Sequence, residues 1–96
     1  MVKIVTKIGF LERRMTERDW TAAQIDLAII DGEIGQAPLE DLKNGLEVPC
    51  GVVKVDDAVI YTDFIVATLA AAGWNASGKY RKFSDGKIDL NVFVTF

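Results

Sequence analysis

The stretch KYRKFSDGKIDLNVFVTF, residues 79–96, decides the fold. In its second half Ile88, Leu90, Val92, Val94 and Phe96 fall on one side of an extended chain. Asp89, Asn91 and Thr95 fall on the other, the two-residue period of a strand with one buried face. Ser84-Asp85-Gly86-Lys87 supplies turn residues between this strand and Tyr80–Phe83, so the chain is expected to close with a β-hairpin. Phe93 breaks the polar side and sets one large aromatic group on the outer surface. An apolar face on a hairpin needs a layer over it. The expected fold is therefore α+β: a mostly antiparallel sheet with two or three helices packed on one face and a closing C-terminal hairpin, in one domain spanning 1–96.

Upstream, Phe64–Ala72 is apolar nearly all round and stops at Gly73, with Thr62 or Asp63 as its N-cap. That pattern predicts a helix buried on several sides, in a core or under a second subunit. Before it, Val52, Val53 and Val55, then Val59, Ile60 and Tyr61 after Asp56-Asp57, read as a strand or tight hairpin of β-branched residues. Pro38 suits the first turn of a short helix that Asn44-Gly45 would end. Thr16-Glu-Arg-Asp19 is a capping-box variant, and Trp20, Ala23, Leu27, Ile30 and Ile34 follow at helical spacing, with Gly32 as the stop. The competing reading of residues 24–35 is a hairpin turning at Asp31-Gly32. Val2, Ile4 and Ile8, interleaved with Lys3 and Lys7, suggest a first strand that could continue to Leu11.

Charge is sorted along the 96 residues. Residues 1–18 hold five basic groups and two acids, a net of +3; residues 19–63 hold ten acids and two lysines, a net of −8; the remainder is +2, and the whole chain is −3. Such segregation steers charged partners. Asp31, Glu33, Glu40, Asp41, Asp56 and Asp57 are the candidate acidic surface.

The chain has no histidine and one cysteine. Cys50 in Val-Pro-Cys-Gly thus lacks the usual base that makes a thiolate, and a buried free thiol is the expected state. Zinc and most transition metals lack their common ligands, no calcium-loop spacing is present, and neither cofactor nor metal is expected. Gly73-Trp-Asn-Ala-Ser-Gly78-Lys79 has phosphate-loop spacing, but Tyr80 stands where a Ser or Thr should be. A helix precedes it and a strand follows, the reverse of what a phosphate loop requires. Lys79, Tyr80, Arg81 and Lys82 interleave cations with aromatics, a composition that contacts phosphates and stacks on bases, or that guards an edge strand.

The longest apolar run falls short of the roughly 20 residues of a membrane span, and Lys3 and Lys7 interrupt any leader-like start. A cytoplasmic, non-membrane chain is expected, self-associating as a homo-oligomer through the apolar helix and Phe93. The function expected is non-enzymatic: an inhibitor or regulator that presents its acidic surface to a protein with a basic, nucleic-acid-binding surface. Analogy places such small regulators in phages and mobile elements. The alternative is a nucleic-acid, nucleotide or anion binder working through the basic-aromatic hairpin Lys79–Lys87. Trp20 and Trp74 are candidate interface anchors, or else ordinary packing groups of a helix face and a helix end.

Overall fold

A computed structural model describes residues 2–96. The closing hairpin forms as expected: β2 (Asn75–Lys82) and β3 (Lys87–Thr95) pair antiparallel across a 3-10 turn at Ser84–Gly86, where Asp85 and Gly86 both take positive φ. β1 (Leu46–Lys54) pairs antiparallel along the other edge of β3, giving a three-stranded sheet of order β1-β3-β2. β1 and β2 therefore run parallel, and α4 (Ala58–Ala71) connects them. The fold is α+β, with α1 (Lys7–Glu12), α2 (Glu17–Gln36) and α3 (Leu39–Asn44) ahead of the sheet.

Burial along β3 alternates residue by residue. Ile88, Leu90, Val92 and Val94 join Val48 of β1, Tyr61, Phe64, Ile65 and Leu69 of α4, and Ala23 and Ile30 of α2 in the hydrophobic core. α4 approaches β2 closely because Gly78 has no side chain: a Cβ there would lie 2.7 Å from the Thr62 methyl. Phe96, expected on the buried face, is exposed, since the strand ends at Thr95 and Phe96 instead stacks on Trp74 at 5.6 Å.

Thr16 caps α2 as its sequence indicates, accepting a hydrogen bond from the Asp19 amide at 3.2 Å. The helix excludes the hairpin at Asp31-Gly32, but Gly32 does not stop it. It runs on to Gln36, because Ile34 packs against the core while Gly32 and Gly35 lie on the exposed side. Trp20 does not belong to the buried face either. It is 42% exposed, and Asp19 and Asp26 are buried beside Ala23 and Ile30.

Two more expectations are corrected. The first strand is absent: residues 2–6 have no regular structure and Thr6 caps α1, its hydroxyl accepting from the Gly9 amide at 3.0 Å. Val59, Ile60 and Tyr61 are helical, not extended, since Asp57 caps α4 through a 3.1 Å bond from the Ile60 amide. α4 therefore starts six residues before Phe64. Gly45 and Gly73 end α3 and α4 at positive φ, as expected.

Candidate functional site

Two regions carry the charged residues. The first is the corner that runs from the last turns of α2 into α3, with Asp31 and Glu33, two residues apart, on different sides of the helix. Asp31 and Glu33 stand near the C-terminus of α2, and Glu40 and Asp41 in the first turn of α3; all four are exposed. The ion pairs among the described residues are Arg18–Asp56 and Lys87–Asp85, so none of these four carboxylates is in one. Helix carbonyls add negative potential at the end of α2, whose last turn holds no cation.

Asp56 and Asp57, expected in the same surface, lie elsewhere. Asp56 pairs with Arg18 at 3.7 Å and accepts from the Thr16 hydroxyl, which fixes it at the opposite end of α2, while Asp57 caps α4. With 1.5 Å of rise per residue, Arg18 and Asp31 stand roughly 20 Å apart along the helix.

The second surface is the outer side of the sheet. Register places Lys54 beside Lys87, Asp89 between Val52 and Arg81, Asn91 between Pro49 and Lys79, and Phe93 between Glu47 and Ser77. Directly paired residues share a face. Four cations and two acids thus line this side, a net of +2 within a chain of −3. The Lys79 ammonium lies 6.0 Å from the Phe93 ring, and the Arg81 guanidinium 5.1 Å from Phe83. Lys79 and Arg81 stand together here, but strand alternation turns Tyr80 and Lys82 to the other side, Tyr80 toward the core. The basic-aromatic hairpin is therefore split between two faces.

The phosphate-loop spacing carries no such loop, because the amides from Asn75 onward belong to β2. Cys50 is a half-buried free thiol, pushed up to about 12 by burial and then by the nearby Asp26 carboxylate, which keeps it protonated at neutral pH.

Sequence reasoning missed two buried carboxylates. Asp19 is 1% exposed and accepts the Asp56 amide at 2.8 and 3.1 Å and the Asp57 amide at 3.1 Å, clamping the β1–α4 connection to α2. Asp26 accepts from the wholly buried Tyr61 hydroxyl at 2.5 Å, tying α2 to α4. Burial raises the Asp26 carboxyl above the usual aspartate range, opposed by the Tyr61 bond, and raises Tyr61 as well.

The raised Asp26 has a definite sign in stability. The folded protein holds this proton longer than the unfolded chain, so the Asp26 contribution falls as pH rises from the unfolded value through the folded one. Asn at this position can still accept from Tyr61 but carries no charge. The stability of Asp26→Asn relative to wild type is expected to improve between about pH 4 and pH 7. Urea melts at both pH values check this, and a difference independent of pH contradicts it.

Compared with family models, with curated proteins and with solved structures, the chain shows no match. No helix among the described residues is long and apolar enough to cross a membrane.

Proposed function

We propose that this chain is a small binding protein, an inhibitor or regulator, that docks its acidic corner on the basic, nucleic-acid-binding surface of a protein partner. The observation that carries this reading is the set of four exposed carboxylates outside any ion pair, Asp31, Glu33, Glu40 and Asp41; the α2 carbonyls add to the field of the first two, and the first-turn amides of α3 favour the last two in their place. Asp56 and Asp57 take no part, being committed to Arg18, Thr16 and the α4 cap.

A second reading has its own support. The outer sheet face combines Lys54, Lys79, Arg81 and Lys87 with Phe93, a pattern suited to a polyanion such as single-stranded nucleic acid.

Fluorescence anisotropy with an arginine-rich peptide and with a single-stranded oligonucleotide separates the two. The peptide is expected to bind at low salt, to weaken about tenfold or more when Glu40 and Asp41 are both changed to lysine, and to ignore Lys79→Gln with Arg81→Gln. Binding of the oligonucleotide, lost in the Lys79→Gln, Arg81→Gln variant, would replace the first reading with the second.

A further inference from the structure

Among the described residues, one long side of α2 has no neighbour. Arg18, Thr21, Ile25, Ala28, Gly32 and Gly35 recur at alternating spacings of three and four, and all are exposed. Ile25 is 61% and Ile29 42% exposed, although both lie in the middle of a 20-residue helix. Around Gly32 and Gly35 no atom of the described residues lies within 4 Å of where a Cβ would be. The buried residues of the same helix, Asp19, Ala23, Asp26 and Ile30, fall on the opposite side. A spacing of three and four is that of a seam between two helices, and small residues along it let the axes approach to about 8–10 Å.

The charges at the two ends of this seam select its occupant. On the side of Ile25 and Ile29, the N-terminal end carries Arg18 and the C-terminal end carries Glu33, with no cation in the last turn; Glu17, also in the first turn, and Asp31 fall on the other side of the helix. A second α2 running antiparallel sets Arg18 against Glu33 at both ends. With the two-fold axis midway between Ile25 and Ile29, each Ile25 meets the other copy's Ile29. Arg18 then lies about 13 Å from the axis and Glu33 about 9 Å, close enough along the seam for the long arginine side chain to span the difference. The pair Arg18 makes with Asp56, at 3.7 Å and exposed, is weak and does not withhold the guanidinium. A parallel pair would set Arg18 against Arg18 and Glu33 against Glu33.

We infer that this protein is a two-fold homodimer joined by antiparallel α2 helices, with Ile25 and Ile29 at the centre and Arg18 of each copy set against Glu33 of the other, which leaves Asp31, Glu40 and Asp41 to the acidic corner. The apolar helix α4 and Phe93, which the sequence offered as interface features, have no part in this contact.

Light scattering during gel filtration, with circular dichroism on every variant, tests it. Wild type is expected at twice 10.6 kDa at micromolar concentration, and Ile25→Asp at 10.6 kDa with an unchanged spectrum. Arg18→Glu and Glu33→Arg should each weaken the dimer about tenfold or more, since each sets like charges opposite one another. Mixed in equal amounts, those two variants should recover a dimer, because the charges introduced by Arg18→Glu and Glu33→Arg face each other at one end while the native Arg18 and Glu33 pair at the other. A monomeric wild type, a dimer that Ile25→Asp leaves intact, or single-charge variants that mixing fails to rescue would each overturn the assignment.

Discussion

Leu90→Ala is expected to destabilise the protein by roughly 2–5 kcal/mol, because it removes a wholly buried side chain from the middle of the central strand. Leu90 stands between Tyr80 of β2 and Gly51 of β1, with Gly78 and its close contact to α4 alongside. A domain of this size has only about 5–15 kcal/mol of stability in total, so a large share of the molecules would unfold at moderate urea. Asn91→Ala, one residue along and on the outer face, should change the midpoint little. Equal tolerance at the two positions would show that the register of β3 is wrong.

Asp19→Ala is the second large effect, about 2–3 kcal/mol, the cost of removing a charged acceptor from amides that it holds. The carboxylate binds the backbone of Asp56 and Asp57 from α2, thirty-seven and thirty-eight residues away in sequence. Those two residues place the start of α4, where Asp57 is the cap. The loss should therefore appear both in a thermal melt and as faster amide hydrogen exchange in the first turn of α4. Asp19→Asn, which keeps one carbonyl acceptor, should fall between wild type and alanine. Wild-type exchange in Asp19→Ala would mean that the clamp does not position α4.

The same buried carboxylates show what the sequence makes legible. Asp19, Ala23, Asp26 and Ile30 share one side of α2, and the period that located the apolar face also carried these two acids inward. Composition obscured them, since acids are expected on solvated faces. The hairpin and the caps at Thr16, Gly45 and Gly73 depend on local chemistry and were readable for that reason. Val59–Tyr61 was not, because β-branched residues favour strands in isolation, and here the Asp57 cap and the core contacts of Tyr61 override that preference. The strand read from Val2, Ile4 and Ile8 failed as well: residues 2–6 have no regular structure, and Thr6, accepting from the Gly9 amide, starts a helix at Lys7.

The candidate surfaces were legible only in part. Strand alternation alone separates Lys79 and Arg81 from Tyr80 and Lys82. The division of the acids between the two ends of α2 depends on tertiary placement: Asp56 meets Arg18 only once β1 lies beside that helix.

The central claim, that the acidic corner steers a basic partner, is tested most directly by the salt dependence of an association rate. Stopped-flow mixing with the arginine-rich peptide should give a rate constant that falls steeply as salt is raised, since long-range attraction acts mainly on the on-rate. Changing both Glu40 and Asp41 to lysine should slow association at low salt and flatten that dependence, with the fold intact. An unchanged rate and slope in this variant would contradict the account and leave the charge of the corner as a solvated surface pattern.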